Sequence, residues 1–133
     1  MKDLDQLALP ENLRYTDEHV WLRVEGDTAV VGISDFAQDQ LGEIAFVDLP
    51  AIGTSYKGGQ EFGTVESLKS VNALFMPVSG TVLEVNETLE STPTLVNAKP
   101  YAEGWMLRIQ LHTTAEVDAL ADSAAYLTLL RKG

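Results

Sequence analysis

The residues of this chain that could do chemistry by type and spacing lie in Glu66-Ser67-Leu68-Lys69-Ser70. This short polar stretch holds one lysine between two apolar-rich segments, Phe62 to Ser67 and Ala73 to Val78. If both segments are strands, Lys69 sits at a hairpin tip with its ammonium in water. For most lysines that position means only solubility. A tight turn, however, also gives an amine a fixed, protruding place that a modifying enzyme can reach, and presentation for covalent modification is the function such a turn could serve.

Other chemistries are poorly supplied. His19 and His112 cannot be combined convincingly into a Ser-His-Asp constellation, no Gly-x-Gly-x-x-Gly or phosphate loop occurs, and there is no thiol nucleophile. With no cysteine and no ligand-like neighbours at metal-binding spacing around either histidine, neither a disulfide framework nor a metal site is expected. The chain reads as a non-catalytic protein.

The elements that must position Lys69 are mostly strands. Val20 to Val24 and Ala29 to Ile33 are rich in β-branched residues and are joined by Glu25-Gly26-Asp27-Thr28, a hairpin signal. Ser34 is placed to cap a short helix around Phe36 and Asp39, which Gly42 would end. Strand character returns at Glu43 to Asp48, Thr81 to Val85 and Trp105 to Leu111, with Pro100 to Gly104 a loop. Pro50-Ala51-Ile52-Gly53 and Pro77-Val78-Ser79-Gly80 echo each other, which suggests two similar hairpin units around Lys69. Apolar residues at Val117, Leu120, Ala121, Ala124, Leu127 and Leu130 fit one face of a helix over about 114–130.

Length and composition set the class. The chain's 133 residues, 45% hydrophobic, predict a single domain spanning 1–133, with its core in about 14–112. Nine Lys and Arg against twenty Asp and Glu give a formal charge of −11, which repels phosphate backbones and anionic headgroups. Nucleic acid and membrane partners are not expected. Met1 to Pro10 has neither a basic start with an apolar run nor an Arg-rich, acid-poor character, so a cytoplasmic protein is the default.

The chain resembles the glycine cleavage system H protein family, lipoyl carriers with a lipoyl-domain-like β fold. The resemblance runs in order through Leu13-Arg14-Tyr15-Thr16, His19, Trp21, Val31-Gly32-Ile33-Ser34, Ala37-Gln38, Gln40-Leu41-Gly42-Glu43 and Phe46-Val47-Asp48-Leu49-Pro50. It continues through Phe62-Gly63, Val65-Glu66-Ser67 with Lys69, Pro77-Val78-Ser79-Gly80, Glu84-Val85-Asn86, Leu95-Val96-Asn97, Pro100-Tyr101 and Gly104-Trp105. It implies a mostly β fold, a barrel-sandwich hybrid of two antiparallel sheets with short helices and a C-terminal helix. It also implies lipoate in amide linkage to Lys69, with Glu66, Ser67 and Ser70 beside the attachment site and Glu66 and Ser67 as contacts for the lipoate attachment enzyme. The implied partners are glycine decarboxylase, an aminomethyltransferase and dihydrolipoamide dehydrogenase.

Two departures bear on the cargo. Family members usually read His-Glu-Trp where this chain has His19-Val20-Trp21, and aspartate where it has Ala73. Ser70 and Asn72 replace the usual alanine and serine. The two missing acids are thought to hold the cationic loaded arm in a surface cleft, and a carboxylate beside a partly desolvated ammonium contributes ~1–3 kcal/mol. Either another acid such as Glu18 takes over, or the cargo differs. The alternative is an H-like lipoyl-binding protein in sulfur oxidation with a heterodisulfide-reductase-like complex, or a lipoate relay.

Overall fold

The computed structural model describes residues 3–132. Alternation of side chains along the strands builds two antiparallel sheets. The larger has the order β1 (Arg14–Tyr15), β2 (Val20–Glu25), β3 (Thr28–Ile33), β9 (Leu107–Leu111), β8 (Gly80–Val85) and β5 (Ser55–Tyr56). The smaller has the order β4 (Ile44–Asp48), β6 (Glu61–Ser67) and β7 (Val71–Phe75). Val20, Leu22, Val31, Ile33 and Ile109 from the first sheet join Ile44, Phe62, Val65 and Leu74 from the second in one buried cluster. This is the expected sandwich.

The opposite face of the larger sheet carries a second core. Trp21, Val30 and Tyr15 are buried there beneath Tyr126 and Leu130 of α5 (Ser123–Lys132), and the Tyr15 and Tyr126 rings stack 4.7 Å apart. Gly32 is required opposite Trp21, because a Cβ there would lie 2.7 Å from the indole ring.

Several boundaries differ from the sequence reading. The strand expected over Ala73 to Val78 is β7, shifted to Val71–Phe75: it starts as soon as the tight turn ends, and it stops before Pro77, which has no N–H to give a ladder. β9 begins at Leu107 instead of Trp105, whose amide turns back to the Ala102 carbonyl at 3.1 Å. The single helix expected over about 114–130 is two helices, α4 (Ala115–Asp118) and α5. Between them Ala121 leaves the helix to exchange two backbone hydrogen bonds with Tyr15 at the edge of the larger sheet, 2.8 and 3.1 Å. Tyr126 and Leu130 supply the buried face of α5, and Ala124 is exposed. Two short helices, α2 (Thr88–Ser91) and α3 (Leu95–Ala98), and a 3₁₀ turn at Leu4–Gln6 were not foreseen.

The two Pro-x-x-Gly segments meet. β5 follows Gly53, β8 begins at Gly80, and the two strands pair with Ser55 opposite Thr81 and Tyr56 opposite Gly80.

α1 (Asp35–Leu41) connects the sheets next to Lys69. Ser34 caps it, accepting from the Ala37 N–H at 3.2 Å, and Gly42 ends it at φ +78°. The Ser34 hydroxyl, fully buried, also bonds the Tyr126 hydroxyl at 2.8 Å, and that hydroxyl bonds His19 Nδ1 at 2.8 Å. This chain of bonds ties the C-terminal helix to the start of α1. Tyr126→Phe should leave two inner polar groups short of a partner and lower unfolding free energy by about 1–3 kcal/mol, measured by urea denaturation.

Candidate functional site

Lys69 lies in the turn between β6 and β7, and the turn is built around one hydroxyl. Ser67, 6% exposed, accepts from the backbone N–H groups of Lys69 and Ser70, each at 3.1 Å, while its own amide donates to the Ser70 carbonyl at 2.8 Å. Without that oxygen these two amides would rely on water. The Leu68 amide donates to the Glu43 carbonyl at 3.3 Å, which fastens the turn to the chain entering β4.

That chain is fixed in turn by Asn97 of α3. Its side-chain amide donates to the Gly42 carbonyl at 2.8 Å and to Gln38 Oε1 at 3.0 Å, and its oxygen accepts the Ile44 amide at 2.9 Å. Asn97 was visible in the sequence only as part of Leu95-Val96-Asn97; its bracing role needs a contact across 55 residues, which no local pattern carries.

The Lys69 side chain is exposed and lies along the end of α1. Its ammonium donates to the Gln40 carbonyl at 3.4 Å, a favourable place for a cation because helix carbonyls point there. Gly42 leaves room for this: a Cβ at that position would lie 3.1 Å from Lys69 Cε.

A cavity of about 320 Å³ opens between α1, β7 and the β1–β2 turn. Ile33, Phe36, Leu41, Val65 and Leu74 give it apolar walls, and Glu18, His19, Gln40 and Asn72 supply polar groups. His19 is held there in a left-handed conformation, φ +66°, by a tight turn in which the Thr16 hydroxyl accepts from the Glu18 and Val20 amides at 3.2 Å. Burial pushes the His19 imidazole below its ordinary range, against the opposing pull of Glu18 and Asp17.

The sequence-predicted residues separate into distinct places. Glu66 and Ser70 are exposed on either side of Lys69, and Ser67 is turned inward with its hydroxyl engaged in the turn. Ser70 Oγ accepts from the Asn72 amide at 2.9 Å, so the two residues that depart together from the usual pattern bond to each other. Ala73 lines the cavity as a half-buried residue. Val20 is 1% exposed and packs in the main core. Glu18 is the carboxylate among the cavity-lining residues.

A β-sandwich that presents one braced lysine beside an apolar, polar-rimmed cavity, with no acid, base and nucleophile assembled among the described residues, has the architecture of a carrier domain. Comparison with known proteins makes the class specific. The family model described as glycine cleavage H-protein matches residues 13–133. A glycine cleavage system H protein of Symbiobacterium thermophilum is 50% identical over 125 residues, covering 94% of this chain and 98% of the relative. One from Bacteroides thetaiotaomicron is 50% identical over 120 residues, 90% of this chain and 95% of the relative. The crystal structure of a glycine cleavage system H protein from Mycobacterium marinum superimposes with a TM-score of 0.85 at 32% identity, over 92% of this chain and 99% of that one.

The chain belongs to the glycine cleavage H-protein family. Members are non-catalytic carriers with lipoate covalently bound to a lysine. The cavity fits such an arm by its chemistry, since its walls suit a hydrocarbon chain and its polar groups suit a charged cargo.

Replacing Ser67 with alanine removes the acceptor shared by two amides. Unfolding free energy should fall by about 1 kcal/mol, and hydrogen exchange at the Lys69 and Ser70 amides should accelerate selectively.

Proposed function

We propose that Lys69 is the lipoylation site and that the protein serves the glycine cleavage system, working as one domain with glycine decarboxylase, an aminomethyltransferase and dihydrolipoamide dehydrogenase. The observation that carries the reading is the braced β6–β7 turn, whose exposed Lys69 amine donates to the carbonyl of Gln40, a residue that lines the cavity. When bound, the lipoyl group supplies a disulfide that takes up an aminomethyl group together with electrons and is later reoxidised. No helix among the described residues is long and apolar enough to cross a membrane, and the reading places the carrier in the cytoplasm with its enzymes.

The residues divide the remaining work. Ser67 holds the turn, while Glu66 and Ser70 flank the amine. Ile33, Phe36 and Leu74 would shelter the apolar arm from water, and Glu18 would offer a negative charge to a cationic amine beside Ala73. Glu18 in that position weakens the ground for a sulfur cargo, which rested on Val20 and Ala73 standing where acids usually do. The nine-tenths coverage by relatives named as glycine cleavage H proteins points the same way.

The test is intact mass. Lipoylated protein incubated with glycine, pyridoxal phosphate and a competent glycine decarboxylase should gain an aminomethyl group, and Lys69→Arg should gain nothing. Glu18→Gln should load but lose the group about two- to fivefold faster, the range available to an exposed ion pair. A lipoylated parent that fails to load beside a control H protein would move the reading to a sulfur cargo or a lipoate relay.

A further inference from the structure

The outer face of the smaller sheet carries apolar side chains that the fold does not use. Phe46 pairs with Glu66, and Glu66 pairs with Val71, so one residue from each of β4, β6 and β7 forms a row across the sheet. Directly paired residues in antiparallel strands point to the same side. Phe46 is 56% exposed and Val71 64%, and Leu68, in the turn between Glu66 and Lys69, is 75% exposed. Single exposed apolar residues are ordinary, but here Leu68 and Val71 flank Lys69 in the chain and Phe46 stands across Glu66 from Val71. The fixed charges of this patch are acidic, with Glu66 inside the row and Asp48 two residues beyond Phe46 on β4, in a chain of net charge −11.

We infer that Phe46, Leu68 and Val71 are the footprint of the enzyme that attaches the lipoyl group, whose complementary face is apolar and bordered by Lys or Arg. The inference rests on the reading of Lys69 as the lipoylation site. Reach selects this partner over the others. An unmodified lysine places Nζ only about 6 Å from its Cα, five bonds of roughly 1.5 Å in zigzag, so an enzyme acting on Nζ must sit against the turn itself. Enzymes acting on the finished arm work at its far end and have no such need. In the attachment step Nζ gives up its ammonium proton and its lone pair bonds the acyl carbon of an activated lipoyl donor. The leaving group, AMP for an acyl-adenylate, departs with the bonding pair, and the amide nitrogen sheds one further proton. The amine must also leave the Gln40 carbonyl.

The test compares two rates on the same variants. Unmodified Phe46→Ser and the double variant Leu68→Ser/Val71→Thr are lipoylated by a lipoate–protein ligase with lipoate and ATP, with Val24→Ser on the larger sheet as an exposed control. The expected result is a fall of about tenfold in lipoylation kcat/KM, carried mainly by KM, for the first two and none for the control. After forced complete lipoylation, aminomethyl loading by glycine decarboxylase should match the parent, which also shows that the variants fold. Unchanged lipoylation overturns the inference, as does an equal loss in both assays or slowed loading alone, which would assign the patch to the decarboxylase. Parent protein that dimerises in sedimentation through this patch, with dimerisation lost and lipoylation intact in the variants, overturns it in favour of a second copy. A parent that is not lipoylated at Lys69 sinks the underlying reading instead, a result distinct from all of these.

Discussion

The four-residue turn that exposes Lys69 is closed by one hydroxyl, that of Ser67. It accepts from Lys69 and Ser70, and the rest of the site depends on that local closure. A glycine or alanine at this position would leave those two amides to water and loosen the turn. Leu68 then reaches the Glu43 carbonyl, and Asn97 fixes the neighbouring Gly42 and Ile44, so the turn is braced against both α1 and β4. A carrier needs an arm that moves on a base that does not, and these bonds make the base.

The cavity follows from the same supports. α1 forms one wall because Ser34 starts it and Gly42 stops it within seven residues, and β7 forms another because the tight turn lets it begin at Val71. The β1–β2 turn completes the rim, with His19 held by Tyr126 and its ring tilted against Phe36 at 4.8 Å. The C-terminal helix therefore reaches the site through one histidine. The acid of the cavity lies at Glu18, two residues from where the family pattern puts it, because Val20 points into the main core.

Much of this was legible in the sequence. Alternating β-branched residues and Gly-containing turns marked the strands, and the Ser34 and Gly42 pair marked α1, because these signals are local. Lys69 stood out for its turn, and the long ordered resemblance gave it a chemistry. What was illegible depends on distant contacts. The helix expected over about 114–130 breaks because Ala121 pairs with Tyr15, more than a hundred residues away in the chain. Asn97 likewise takes its meaning from neighbours that only the fold supplies.

The most direct test of the account is peptide-resolved mass spectrometry of the protein from its native source, covering each of its five lysines. The account predicts a lipoyl amide on Lys69 and unmodified side-chain amines at Lys2, Lys57, Lys99 and Lys132. A free amine at Lys69, or a lipoyl group on any other lysine, would contradict it.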